Sequence, residues 1–512
     1  MNKGKRWQND ENILIVKEII NNNSIENISK IIERSEYAVI KQLEKILLND
    51  DINMIDLYNK LLIQTVMNNK YKLYKQLDYE ENRIEPEIPI VIENIIQTIE
   101  DISELNEEQL LCYNLAKTGK NLFITGAGGS GKSTVLKKII KYNQRKNINI
   151  GITASTGIAA SLIGGTTLHS YLKIGIGNKT VEELYNNLVS KKNKSDYYKL
   201  LKLEILIIDE ISMIDNILFS KIAAYLSLIK NVKKPFGGIQ IILCGDFYQL
   251  PPINNTYCFK AKIWNRLRIN TIILKNQMRQ IHDLEFQNIL ENIKINNITD
   301  YIYDKLSLLK NNKINNDIKP TIIYSKNIDI DRINSQEFNN LVQTFNYDVY
   351  NFPIQYDNNN KKIVNYINKL ENKEIKLCKG LQIMVTHNID INNQIVNGTR
   401  GIIVNIDYPN ILIKTINNML YYINYVKYTH ELDNEIQYNY IPIKLAYALT
   451  VHKSQGQTLD YIEIDLGESI FEYGMAYVAL SRAKKLNSIY ISNLSKSAFK
   501  VNNEVIEFYN NI

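Results

Sequence analysis

Cysteine is scarce: the four in 512 residues, Cys112, Cys244, Cys258 and Cys378, stand far apart and form no CxxC pair. Their spacing argues against a zinc site and a disulfide framework and points to a reducing, intracellular setting, nucleus or cytoplasm. Long hydrophobic runs are missing too, since no uninterrupted apolar stretch approaches the roughly 20 residues that cross a bilayer, and no membrane partner is expected. The opening MNKGKRWQNDEN has no apolar signal core. Nor does charge of one sign dominate: a formal net charge of +7 permits nucleic-acid binding along a local path without demanding it. What remains, 45% hydrophobic and 22% charged residues, is an ordinary globular composition in a chain too long for one core. Two large domains with smaller ones beside them are expected.

The first fifty residues outline three short helices. Ile13, Val16 and Ile20 share one helical face; Ile25, Ile28 and Ile32 share a second after a Ser24 cap; Val39, Leu43 and Leu47 share a third after a Ser35 cap. This trihelical, helix-turn-helix-like module (1–50) would be anchored by Trp7, and in a DNA-reading version Arg34, Tyr37, Lys41 and Lys45 would face the major groove. Its eight Lys/Arg and eight Asp/Glu cancel, so a protein partner fits as well as DNA. An acidic, partly helical linker (51–100) containing EENRIEPEIPI follows. From about residue 101, strand-like runs alternate with helical stretches, NLFIT, NIGITAST, LEILIIDE and IQIILCGD, the mark of a parallel sheet flanked by helices, which closes near Leu274. A second series, PTIIYSK, LQIMVTH, YIEIDL and SIYIS, occupies 275–512, and a denser β pattern at 398–440 reads as a small barrel inserted in it. The fold class is therefore α/β, with two nucleotide-binding-type sheets, a β insert and a small all-α module.

The chemistry begins at Gly126–Ser133, GAGGSGKS, which follows the apolar run LFIT and precedes the helix-like TVLKKIIKY. Backbone N–H groups must close around phosphate oxygens here, and side chains at Gly126, Gly128, Gly129 or Gly131 would block that approach. The loop Gly126, Ala127, Gly128, Gly129, Ser130, Gly131, Lys132, Ser133 and Thr134 is thus a candidate ATP site, with Lys132 reaching the β/γ-phosphates and Ser133 holding Mg²⁺. Read instead as an ordinary glycine-rich turn, it would not need both flanks.

LEILIIDE places Asp209 and Glu210 at the C-terminal end of a strand, where doubly wound sheets put their ligands. Asp209 would hold Mg²⁺ through water and Glu210 would activate the attacking water as general base. GGIQIILCGDFYQLPPI presents Gln249 at another strand end, placed to sense the γ-phosphate, with Pro251 and Pro252 stiffening its turn. Positive charge on the γ-phosphate would come from Arg279 in LKNQMRQ and Arg482 in YVALSRAKK, delivered from the second domain.

These segments, in this order, resemble the PIF-type DNA helicases of superfamily one. The likeness runs from LNEEQ through GAGGSGKS, TASTGIAASLIGGTTLHS, IIDEISMID, PFGGIQIILCGDFYQLPPI, MRQ, PTIIYSKNIDIDRIN, LCKGLQIMV, NGTRG, YALTVHKSQGQTLD and YVALSRAKK, roughly Asp101 to Asn493. It implies two RecA-like domains with an SH3-like insert in the second and 5′-to-3′ translocation on single-stranded DNA, with forked or tailed duplex as substrate. It further implies that Gln109 reads the adenine and that Gly456 lies near the nucleotide. Thr156, His169, His452, Lys453 and Gln455 would contact the strand. Ser155 stands where more distant relatives carry Pro, and the wedge hairpin implied after Tyr171 would be short and rich in Asn and Lys. Two other readings share parts of this chemistry: a DNA-binding scaffold with a decayed motor, and a packaging or remodelling ATPase on duplex DNA or protein. Retention of Lys132, Asp209, Glu210, Gln249 and Arg482 speaks against decay.

Overall fold

Six parallel strands build the first lobe: β1 (Leu122–Gly126), β2 (Ile150–Ala154), β3 (Thr166–Thr167), β4 (Ile205–Asp209), β5 (Gln240–Cys244) and β6 (Asn270–Leu274). Their order is β3-β2-β4-β5-β1-β6. The computed structural model describes residues 105–512 except 191–192, 313–317, 326–327, 369, 371–372, 388, 391–392, 394, 396–397, 417 and 431–432, together with 25–32, 35, 38, 39 and 42. Strands β1 and β4 are buried along their whole length, as a parallel sheet covered on both faces requires. Each Ile or Leu so buried contributes about 1.5–3 kcal/mol, which makes these strands the fixed frame of the lobe. Helix Lys132–Arg145 leaves β1 through Gly131 at φ 84° and buries Val135, Leu136, Ile139 and Ile140 against the sheet. Helix Glu107–Lys117 opens on a reciprocal cap between Asn106 and Gln109.

The second lobe begins with β7 (Thr321–Tyr324) and is then interrupted. The interruption holds β8 (Tyr350–Pro353), β9 (Gln355–Tyr356), β10 (Glu374–Leu377), β11 (Gln382–Val385), β12 (Arg400–Asp407), β13 (Asn410–Thr415), β14 (Leu420–Ile423), β15 (Val426–His430), β16 (Asp433–Tyr440) and β17 (Ile443–Leu445). After it, β18 (Ala448–Thr450), β19 (Ile462–Leu466) and β20 (Ile489–Leu494) complete a parallel sheet of order β18-β7-β19-β20. Both parallel sheets are flanked by helices, which is the expected two-sheet α/β class.

Three sequence expectations change here. The run LQIMVTH reads in the sequence as a strand of the second parallel sheet, yet β11 pairs antiparallel with β12 and β17 in a five-stranded sheet, β14-β13-β12-β11-β17. Its two faces meet different cores, Ile383 and Val385 in that of the insert and Met384 in the main one, so its sequence has the unbroken apolar character of a parallel strand. The parallel sheet's own fourth strand is β18, three residues too short to stand out. Segment 398–440 contributes β12 to β14 to the antiparallel sheet, which extends beyond it to Gln382 and Leu445, while β15 and β16 pair with β9. Between Lys173 and Leu203, where a hairpin was implied, the described residues form helices Val181–Val189 and Lys194–Lys202. The first is set by a reciprocal Thr180–Glu183 cap, and the pair buries Leu184, Leu188 and Leu200.

Of the N-terminal module, helix Ile25–Ile31 is described, with Ile28, Ile32 and Val39 buried and Ser35 Oγ accepting from the Ala38 N–H. Trp7, Arg34, Tyr37, Lys41, Lys45 and the 51–100 linker lie outside the described residues. At the other end, helix Asn503–Asn510 leaves the second lobe and packs on the first. Its Phe508 stacks on Phe259 at 4.3 Å and meets Phe247 edge-on at 5.3 Å. One continuous apolar core consequently joins the two lobes, from Phe123 to Val505.

Candidate nucleotide site at the seam between the lobes

The phosphate loop joins β1 to helix Lys132–Arg145, with Gly126, Gly129 and Gly131 at φ 147°, 87° and 84°. At the last two, the left-handed backbone favours glycine outright. Lys132 curls into the loop and donates through Nζ to the carbonyls of Gly126 (2.7 Å) and Ala127 (3.0 Å). Ser130 Oγ is buried without a hydrogen-bond partner in the protein, a hydroxyl suited to a phosphate oxygen. Ser133 and Thr134 stand in the first turn of the helix, at the positive end of its dipole. Gln109 Nε2 approaches the Gly131 carbonyl at 3.4 Å, so this glutamine borders the loop directly. The glycine-lined cradle, the lysine and the unpartnered hydroxyl together fit a triphosphate.

The acid pair faces the loop. Asp209 ends β4 and its Oδ1 accepts from the Glu210 N–H at 2.9 Å. Glu210 sits at φ 52°, a left-handed conformation that costs a non-glycine residue free energy and here aims the carboxylate into the seam. Burial raises both carboxyls; Asp209 adds to the rise of Glu210, to about 7, while Lys132, Arg482 and a hydrogen bond from Gln455 oppose it. In the nucleotide-free site near neutral pH this pair therefore tends to keep a proton.

Both arginines reach the loop. A Cβ on Gly128 would lie 3.1 Å from Arg482 Nη2 and 3.5 Å from Arg279 Nη1, so both guanidinium groups close on this glycine and a side chain there would crowd Arg482. Arg482 is 1% exposed and is held by the carbonyls of Val478, Ser454 and Gln457 and by Ser481 Oγ. Arg279 donates to Thr458 Oγ1 (2.9 Å) and to the Ser481 carbonyl (2.7 Å), and burial, then the like charge of Arg482, lowers it to about 9. Arg279 itself follows β6 of the first lobe and leans on Gly129, so it spans the seam instead of belonging to the second lobe as expected.

Gln249 is buried and its Oε1 accepts from Gln455 Nε2 at 3.3 Å; the same Nε2 donates to Glu210 Oε2 at 2.9 Å. Gln455, implied as a DNA contact, is thus placed in the nucleotide seam. Gly456, implied near the nucleotide, is exposed beside Leu162, which a Cβ would meet at 3.4 Å. Among the other strand candidates, Thr156 caps helix Gly157–Leu162 through Oγ1. His169 is half-buried, and burial lowers it, as it does His452. His452 and Lys453 project from the exposed turn of helix Val451–Ser454.

Sequence reasoning missed several groups at the seam. Tyr477 OH accepts from the Gly128 N–H (3.4 Å) and donates to Asp246 Oδ2 (3.3 Å), and Gln280 Nε2 donates to the Ala483 carbonyl (2.7 Å). Each lay inside a segment already singled out, Tyr477 in YVALSRAKK and Gln280 in LKNQMRQ. Lys444 on β17 is half-buried, lowered to about 8 by burial and by Lys453. The four cysteines are free and buried, and the described residues contain no cluster of three or more His, Cys, Asp or Glu able to hold a metal. No helix among the described residues is long and apolar enough to cross a membrane.

A phosphate loop, a strand-end acid pair and two arginines that meet at the seam, one of them from the second lobe, define a nucleotide-binding protein of two RecA-like lobes. Residues 104–313 match the PIF1-like helicase family, and residues 365–406 match the 2B domain of the Pif1 DNA helicase. The crystal structure of the Candida albicans Pif1 helicase is 32% identical, covering 80% of this chain and 99% of that one with a TM-score of 0.65. A Bacteroides Pif1 helicase in complex with ADP-AlF3 and single-stranded DNA is 30% identical, covering 80% and 97%, with a TM-score of 0.58. The ATP-dependent DNA helicase PIF1 of Xenopus laevis is 33% identical over 419 residues, 79% of this chain and 64% of the Xenopus protein. The chain belongs to the PIF1-like helicase family.

Proposed function

We propose that the chain is an intracellular, ATP-dependent DNA helicase that moves 5′ to 3′ along single-stranded DNA and unwinds forked or tailed duplex. The observation that carries this reading is the meeting of Arg482 and Arg279 at Gly128, opposite Lys132, Asp209 and Glu210. A triphosphate in that cradle would be held by the loop amides, Lys132 and Ser130, with Gln109 on the base. Ser133 and Asp209 would hold Mg²⁺, which neutralises phosphate charge. Glu210 would take the proton of the attacking water, and the arginines would stabilise the charge that develops on the transferred group. Gln249 and Gln455 share one hydrogen bond across the seam, so exchange of that partner for a phosphate oxygen would report hydrolysis to the second lobe.

The units of this motor are a helix-turn-helix-like module (1–50), a linker (51–100), a first motor domain (101–274) and a second (275–512) carrying the insert, whose strands run from β8 to β17. DNA would run across both lobes, gripped by Thr156 and His169 from the first and by His452 and Lys453 from the second. Lowered basicity makes the two histidines neutral hydrogen-bonding groups rather than phosphate counter-charges, which suits a sequence-independent grip. A related helicase solved at forked double-stranded DNA supports the substrate class. Strand displacement on 5′- and 3′-tailed duplexes tests the reading: ATP-dependent unwinding of the 5′-tailed substrate is expected, and unwinding of neither, with or without ATP, contradicts it.

A further inference from the structure

The last helix, Asn503–Asn510, delivers one hydroxyl to the underside of the nucleotide site. Tyr509 OH lies 2.6 Å from Thr125 Oγ1, on the residue that precedes the phosphate loop, and it accepts from the Phe247 N–H at 3.1 Å. Thr125 is fully buried, and Tyr509 gains an acceptor for its own hydrogen only if it is the donor to Thr125. Its ring stacks on Tyr248 at 4.7 Å with the planes 10° apart, and Lys294 Nζ sits 4.9 Å over the Tyr248 ring. Gly245, Asp246, Phe247 and Tyr248 are the four residues that lead from β5 into Gln249. A single side chain therefore touches the strand that sets the phosphate loop and the loop that carries Gln249.

The chain path gives this contact its consequence. Helix Asn503–Asn510 follows the second lobe's β20, and the intervening segment is tied to that lobe by the Gly474 N–H donating to the Lys500 carbonyl (2.9 Å) and by Lys500 Nζ donating to the Ile470 carbonyl (3.2 Å). On the far side of the same loop, Asp246 is held by Tyr477 of the second lobe. The 246–249 loop is thus gripped from both sides by hydroxyls that the later part of the chain supplies. Resting on the motor reading above, we infer that Tyr509 is a positioning residue that fixes the Gln249 loop to the phosphate-loop strand. Through it, movement of the second lobe bears on the nucleotide site independently of Arg482.

Two variants and two readouts decide this. Tyr509→Phe keeps the stacked ring and removes only the hydroxyl; Thr125→Val removes its partner. Hydrogen exchange of the 245–250 amides should quicken about ten-fold in Tyr509→Phe while the 503–510 amides stay protected, showing loss of the tether without loss of the helix. In steady-state ATP turnover with single-stranded DNA, each single variant should lower kcat about ten-fold at nearly constant KM for ATP, and the double variant should be no worse than either, because both remove one link. Unchanged exchange at 245–250 in Tyr509→Phe would overturn the inference, as would losses in kcat that multiply in the double variant. Should the wild-type protein fail to hydrolyse ATP at all, the motor reading falls, and the exchange measurement still decides whether Tyr509 holds the loop.

Discussion

The two parallel sheets look alike in outline and differ in what their strand ends carry. In the first, β1 runs into a glycine-rich loop and β4 into Asp209 and Glu210, so its C-terminal edge is a complete phosphate cradle. In the second, no described strand end has such a loop; β18 leads to the short helix with His452 and Lys453, and helix Met475–Leu480 delivers Arg482. In the proposed motor, one sheet would hold the fuel and the other would supply charge to it. The asymmetry teaches that the second lobe meets the phosphate loop through a few side chains at a seam, and those side chains are where the comparison can be broken.

The largest effect is expected at Arg482. Replacing it with Ala removes a buried cation that the transition state needs and leaves the cradle intact, so kcat for ATP should fall about 10³-fold or more with little change in nucleotide affinity. Arg279→Ala should cost less, because Arg482 remains at Gly128. Equal losses in the two variants would show that the lobes share the charge evenly and would erase the distinction.

A smaller effect, on stability, tests the acid pair at the first lobe's strand end. Because burial raises the Glu210 carboxyl, the folded state holds that proton more tightly than the unfolded chain, a contribution fully present below the ordinary carboxylate range and lost as pH rises through about 7. Glu210→Gln escapes that loss. Without nucleotide or metal, its urea midpoint relative to wild type should rise between pH 5 and pH 8, by the equivalent of about 1–3 kcal/mol. A difference independent of pH would mean that the pair stays ionised in the fold.

The smallest effect concerns the second lobe's hold on DNA. Lys453 is exposed and Lys444 lies near enough to feel its charge. Lys453→Gln should weaken single-stranded DNA binding a few-fold and lower the salt slope of log Kd by about one, as loss of one phosphate contact requires. An unchanged slope would take Lys453 off the strand.

How far these residues could be read in the sequence follows the same division. The phosphate loop and the acid pair were legible because each sits at a strand end whose unbroken apolar run announces it, whereas the arginines stood out only through the segments LKNQMRQ and YVALSRAKK that carry them. Arg279 was read to the wrong side because a residue in a connector belongs to neither sheet's pattern. Gln455 stands one residue from the exposed turn with His452 and Lys453, and only its burial against Glu210 and Gln249 separates it from them. Strand β11 was misassigned because two-sided burial has one sequence signature whichever sheet supplies it. Tyr509 was invisible: its partners Thr125 and Phe247 are 384 and 262 residues away, and contacts that distant leave no local pattern.

The account's central claim is that the seam hydrolyses a nucleoside triphosphate under the control of a polynucleotide. Steady-state ATP turnover of the purified wild-type protein, with and without single-stranded DNA and beside Lys132→Ala, tests it most directly. Turnover that rises on adding the oligonucleotide and is abolished in Lys132→Ala is predicted; absence of turnover under both conditions, or equal turnover in Lys132→Ala, would contradict it.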